Sequence, residues 1–179
     1  MRVLSSGLTV LIMGVVCVSS MPVRASVTPQ AMAVEGELLE FAWTYLKDRA
    51  ARLTSRPAHG DRRGLTRVPV GAALRERLAA DAAAIDRRRE RLRAVNGGHR
   101  GSRVTVRDTK FRHEGDTVVT LYLTEVTELF FSRTGTSGPP GEAYGLNHRF
   151  AFHKAGGSWL IAETEPGLTP GGLAPDTYP

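Results

Sequence analysis

The sequence predicts an α+β fold, with two N-terminal helices packed on a curved four-stranded antiparallel sheet. Three observations predict it. Apolar residues recur at intervals of three and four from Val34 to Leu53 and again from Gly71 to Val95, the period of helices with one covered face. From Arg103 onward the chain changes character, to β-branched, aromatic and apolar runs grouped in two hairpins, 103–131 and 144–165. Helices first and strands afterwards argue for an antiparallel sheet with its helices gathered on one side. Such a hairpin does not hold in water alone, so the helices must cover it.

The first residues read as a leader outside this fold. Met1-Arg2 is positive, Leu8 to Val18 is apolar, Ser19 to Pro22 breaks the run, and Val23-Arg24-Ala25 places small residues before a cut. That is the pattern of a secretory signal peptide over 1–25, cleaved after Ala25. The single cysteine, Cys17, would leave with it. The exported chain is then expected to have no disulfide, no thiolate nucleophile and no cysteine metal site. Residues 26–33 form a short mature leader, in which Thr28-Pro29 suits the N-cap and first position of a helix.

The first helix carries Leu39, Ala42, Leu46, Ala50 and Leu53 beside a second stripe of Val34, Leu38, Phe41 and Tyr45. So broad an apolar face predicts a helix largely covered by other elements, with Trp43 as core. Glu35, Glu37 and Glu40 near its start and Lys47, Arg49 and Arg52 near its end complement the helix dipole. Thr54 to Pro69 is a polar connection. In the second helix Leu74, Leu78, Ala82, Ile85, Leu92 and Val95 keep the period. Asp86 to Arg93 (DRRRERLR) is charged nearly all round, and Asn96-Gly97-Gly98 is a stop signal.

In the first hairpin Glu114-Gly115-Asp116 is the turn. Val119, Leu121 and Leu123 share a face with Glu125, whereas Val126 and Phe130 lie on the other, which predicts a bulge near Glu125. The preceding strand breaks phase in the same way: Val104 and Val106 align with Asp108, but not with Thr109 and Phe111. Ser132 to Gly141 is a loop by composition. Tyr144 to Lys154 places Leu146, His148, Phe150 and Phe152 on one face, Ala155-Gly156-Gly157 turns the chain, and Ser158 to Glu165 is the last strand. Residues 166–179 are Gly/Pro-rich and are expected to be a disordered tail.

Basic residues concentrate between Lys47 and Arg112, and acids dominate from His113 onward. Arg87, Arg88, Arg89, Arg91 and Arg93 are the candidate surface for an anionic envelope polymer or headgroup. A nucleic-acid partner is not expected, because export removes the usual target and no aromatic residues interleave with the arginines. There is no Gly-rich phosphate loop, no nucleophile elbow, no H-E-x-x-H and no cysteine cluster, so no cofactor and no metal are expected. The histidines are scattered: His59 and His99 in loops, His113 at a turn, and His148 and His153 on opposite faces of one strand. One constellation carries chemistry. Strand parity points His148, Glu125 and Asp108 toward one apolar concavity lined by Leu121, Leu123, Phe150 and Phe152, unless the bulges turn Glu125 and Asp108 to solvent and leave His148 a satisfied histidine at the sheet rim. A carboxylate–histidine pair there suits proton abstraction or ligand orientation.

The element order, with its closing turn-plus-Trp strand HKAGGSWLIAE, resembles the NTF2-like superfamily, including SnoaL-like domains. The resemblance spans 34–165 and implies a long curved sheet folded around a helix into a cone with a pocket. More narrowly, TEVTELFF, HRFAFHKAGGSWLIAETE and the Arg-rich second helix are similar to the region preceding a predicted amidase domain in secreted actinobacterial proteins. Arginine far outnumbers lysine, as in chains from high-GC genomes. No amidase domain is expected after Pro179 and no cysteine nucleophile in the mature chain, so the resemblance carries fold and extracellular setting, not activity. The reading is a secreted, non-enzymatic binding or accessory domain of the bacterial envelope, whose partner is a protein or a small apolar ligand. One alternative is a small SnoaL-like pocket enzyme using His148 with Glu125 or Asp108. Another is an adhesion module using the basic helix face. A homodimer is an expectation that the resemblance alone implies.

Overall fold

The computed structural model describes residues 29–54, 66–132 and 141–168. The expected signal peptide, the start of the mature leader, His59 and the tail beyond 168 lie outside the described residues. Two helices, α1 (Pro29–Arg52) and α2 (Ala72–Asn96), precede four strands: β1 (His99–Glu114), β2 (Val118–Phe131), β3 (Gly141–Ala155) and β4 (Ser158–Leu168). The strands form one antiparallel sheet in the order β1-β2-β3-β4. This is the α+β architecture that the two hydrophobic periods predict.

Four boundaries differ from the sequence reading by more than one residue, one of them the start of β3, at Gly141 rather than Tyr144. α1 begins at Pro29 rather than Val34, since a proline at the first helical position gives up only an amide that the helix leaves unpaired anyway. β1 begins at His99 rather than Arg103, held by a parallel bridge to Thr54 at the end of α1. β4 continues to Leu168, through residues that composition assigned to the tail. Pro166 is tolerated there because β4 is an edge strand, with one side free of a ladder.

The bulge expected near Glu125 is absent: β2 pairs with β1 and β3 without a shift through that residue. Val126 and Phe130 do not require a change of face. They sit half-buried on the outer face, while Val119, Leu121, Leu123, Glu125, Thr127 and Leu129 face inward and are buried. β2 is an interior strand with apolar residues on both faces, a pattern that imitates a bulge. The break in β1 is real. Its register slips between Arg107 and Lys110, and Asp108 takes a left-handed φ of 52°. The slip moves the inward set from Val104 and Val106 to Phe111 and His113 and keeps Arg103, Arg107, Lys110 and Arg112 together on the outer face.

α1 lies across the inner face through Leu38, Ala42, Tyr45, Leu46 and Ala50. α2 contributes a narrower row, Leu74, Leu78, Ala82 and Ile85, as its charged flanks require. Its start is fastened to β4, where Gly71 N–H donates to Ile161 O at 2.9 Å and Ile161 N–H to Pro69 O at 3.0 Å. Its end is capped by Gly97 at φ 78°, whose N–H reaches Arg93 O. The two helices are tied by a two-point fork: Arg52 Nε and Nη2 donate to the Asp86 carboxylate at 3.1 and 2.7 Å.

Candidate functional site

β2 and β3 bring the predicted pair together at the middle of the inner face. In their register Glu125 is opposite Leu146, and His148 is opposite Leu123. The two side chains are therefore diagonal neighbours on one face, within reach of each other across the ladder. His148 Nε2 lies 2.6 Å from Glu125 Oε2, and Thr127 Oγ1 donates to Glu125 Oε1 at 2.5 Å. Thr127 reaches the carboxylate because residues two apart on a strand share a face. Each carboxylate oxygen thus takes one hydrogen bond, and Nε2 carries the proton it donates. The two side chains are 0% and 1% exposed. The imidazole stacks on Phe150 at 5.6 Å.

The other nitrogen, His148 Nδ1, is buried and has no hydrogen-bond partner among the described residues. In the neutral Nε2–H tautomer, Nδ1 is left as an acceptor facing the interior. Chemically, a carboxylate holds an imidazole whose remaining nitrogen accepts a proton from any group placed against it. Access is the obstacle, since both members lie beneath the surface.

Asp108 does not join them. It is exposed at the β1 bulge, on the far side of β2 from His148, and two strand spacings put roughly 10 Å between the backbones. The parity that aligned Asp108 with Val104 and Val106 ends at the bulge itself. The four expected pocket residues are core. Leu121, Leu123, Phe150 and Phe152 are 0–3% exposed and pack in one cluster with Leu38, Ala42, Tyr45 and Leu46 of α1. Tyr45 meets Phe150 edge to face at 5.5 Å.

The five arginines do not form one free face, since helical spacing spreads them around α2. Arg87 and Arg91 are exposed, and Arg93 lies 4.0 Å from Glu90. Arg89 is half-buried, bonded to Asp86 at 3.2 Å and to the carbonyl of Arg52 at 3.3 Å, and Arg88 is also half-buried. Among the described residues no group of three or more His, Cys, Asp or Glu side chains is placed to hold a metal ion.

One residue escaped the sequence reading. His99, assigned to a loop because glycines precede it, is 1% exposed inside β1. It stacks on Phe131 at 5.3 Å, and its Nε2 is 3.0 Å from Glu142 Oε1. Burial pushes its pKa below the usual histidine value, Glu142 opposes this, and Arg88 adds to it. The unfolded chain therefore binds the His99 proton more readily than the native one. The neutral form's stability is fully present above the unfolded pKa, near 6.5, and is lost as pH falls toward the folded value. The urea midpoint is expected to decline between about pH 7 and pH 5. His99→Leu should remove part of that decline, and equal slopes in the two proteins would contradict this.

No protein-family model matches the sequence, and no curated protein matches it. Among solved structures the chain is similar to the association domain of Caenorhabditis elegans CaMKII, with 9% identity, 79% of this chain and 100% of that one covered, and a TM-score of 0.45. It is similar to a Xanthomonas campestris protein assigned as a calcium/calmodulin-dependent protein kinase II association domain, with 11% identity, 80% and 89% covered, and a TM-score of 0.41. A third is the intermembrane-space region of the chloroplast protein ARC6, with 10% identity, 76% and 96% covered, and a TM-score of 0.43. Likenesses this distant transfer no activity and no partner to this chain.

Proposed function

We propose that this chain is an exported, non-enzymatic association domain of the NTF2-like kind, acting through the outer face of its sheet. The observation that carries the reading is the filled inner face. The residues expected to line a pocket are at most 3% exposed, and the Glu125–His148 pair at most 1%. A catalytic pair needs contact with its substrate, and α1 occupies the space from which a substrate would approach. The outer face is different. Tyr122 is 40% exposed there, with Val126 and Phe130 half-buried beside it. Arg103, Arg107, Lys110 and Arg112 line the β1 edge, where Arg103 pairs with Glu128 and Arg112 with Glu114, and Glu163 and Glu165 line the β4 edge, where Arg149 bonds them at 2.9 and 3.1 Å.

Opposite charge on opposite edges suits a second copy of the chain. A two-fold axis parallel to the strands lays β1 of one copy over β4 of the other, so each basic edge meets an acidic one. Four strands at about 4.8 Å spacing and roughly 40 Å of strand length give about 800 Å² per partner, the size of a stable specific interface. Export rests on the 1–25 leader, and the narrower likeness to amidase-associated regions rests on the sequence motifs alone.

The test is expression with the native leader. The secreted chain is expected to begin at Ser26 and to show twice the single-chain mass by light scattering. Tyr122→Arg together with Val126→Glu should return it to one chain with an unchanged circular dichroism spectrum. A single-chain mass for the unmodified protein at high concentration would sink the reading.

A further inference from the structure

We infer that the open edge of β1 beside α1 takes up an extended segment of another protein as a fifth strand, one in which apolar and acidic residues alternate.

The two edges of the sheet are finished differently. β4 is closed by its own chain: Val70 bridges Ile161, Gly71 N–H donates to Ile161 O at 2.9 Å, and Arg77 Nη2 donates to Thr164 O at 2.6 Å. Among the described residues β1 is held in this way only at its start, by the bridge between Thr54 and His99. From Arg103 to Arg107, the straight run before the bulge, no described residue pairs with its outer edge. A strand left so presents a row of unpaired N–H and C=O groups, a template for a further strand.

A cleft of about 610 Å³ follows that edge, a volume within the range of ligand sites. It touches every residue from Val104 to Thr109. Consecutive side chains point to opposite faces, so a cleft that meets all six runs along the edge and not over one face. Its other wall is α1, with Leu39, Glu40 and Trp43.

The alternation of the incoming strand follows from the two sides of the cleft. On the inner side Leu39, Val104 and Val106 are half-buried and pack against the core, leaving an apolar surface. Glu40 on α1 and Asp108 at the bulge bar further acids from it. On the outer side stand Arg107 and, past the bulge, Lys110, both exposed and in no ion pair among the described residues. An added strand gains main-chain hydrogen bonds from β1 and turns its side chains alternately to these two sides, apolar inward and acidic outward. The same cations tell against a second copy of the chain here. Two β1 edges laid together would oppose like charges, and the β4 edge is already occupied. Arg107 and Lys110 also border the outer face, but light scattering reads the association and a titration reads the edge, so either can fail while the other stands.

The test titrates the whole mature chain with a capped heptapeptide that alternates valine and glutamate, and with a second in which lysine replaces glutamate. The glutamate peptide is expected to saturate with a Kd of roughly 0.1–1 mM and to slow amide exchange within Val104 to Arg107. The lysine peptide should bind about tenfold more weakly, the scale of a few exposed ion pairs. Methylating either the valine or the glutamate nitrogens acts on opposite edges of the peptide, since N–H groups alternate along a strand as side chains do. One of the two methylated peptides should lose saturation and the other keep it. Arg107→Glu with Lys110→Glu should reverse the preference between glutamate and lysine without lowering the melting temperature, as both positions are exposed. No saturation, binding that leaves exchange within Val104 to Arg107 unchanged, equal binding of the two charge types, equal effects of the two methylations, or a double variant that keeps the original preference would each overturn the inference.

Discussion

His148→Ala is expected to destabilise the domain by about 3–5 kcal/mol, the cost of leaving a buried charge without its partner. Glu125 would keep one hydrogen bond, from Thr127, and lose the one from Nε2 at 2.6 Å, with both side chains sealed from water. Against a total stability of about 5–15 kcal/mol, this removes a large share of the folded population. The converse experiment separates charge from packing. Glu125→Met, Thr127→Val and His148→Leu together remove the carboxylate, the imidazole and the hydroxyl that would lose its acceptor. An apolar set of similar volume is expected to restore stability to within about 1–2 kcal/mol of the original. Urea denaturation of the three proteins decides it. A loss below about 1 kcal/mol for His148→Ala, or a triple variant as unstable as the single one, would contradict the account. What the pair gives the fold is register: sliding β2 by one residue would turn Glu125 outward and leave His148 alone in the core.

Much of this was legible in the sequence, for a stated reason. Period and turn chemistry are local, so Leu38 to Leu53, Leu74 to Ile85 and the Gly115 and Gly156 turns declared themselves. Parity alone put Glu125 and His148 on one face, because the side-chain period of two survives wherever the ladder is unbroken. Reading failed where one local signal has two physical causes. Val126 and Phe130 out of phase with Leu121 suit either a bulge or a strand with two apolar faces, and only the neighbouring strands decide. Asp108 reads as inward by parity, and its left-handed φ at the slip cancels that parity. His99 follows two glycines and looks like loop, yet long-range pairing with Phe131 and Thr54 buries it. Whether Phe150 lines an open pocket or a filled one depends on how closely α1 approaches, a tertiary distance that no pattern along the chain encodes.

That distance underlies the second large effect. Phe150→Ala is expected to cost about 3–5 kcal/mol, the range for deleting a fully buried aromatic ring. Phe150 is 0% exposed and sits among three other rings. Tyr45 of α1 contacts it edge on at 5.5 Å, His148 stacks at 5.6 Å and Phe152 at 6.2 Å. Such ring pairs contribute about 0.5–1.5 kcal/mol beyond their buried area, so the loss should fall toward the upper part of the range. The cavity would also loosen the support of the His148 ring. The effects of Phe150→Ala and His148→Ala are therefore expected to be non-additive by about 0.5–3 kcal/mol, as for residues in contact. Phe150→Leu, which retains most of the apolar volume, should cost about half as much or less. The discriminating measurement is the urea midpoint of Phe150→Ala. A filled inner face requires a large fall, whereas a ring lining an open cone would lose little, and a cost below about 1 kcal/mol would return the inner face to the role of a ligand pocket.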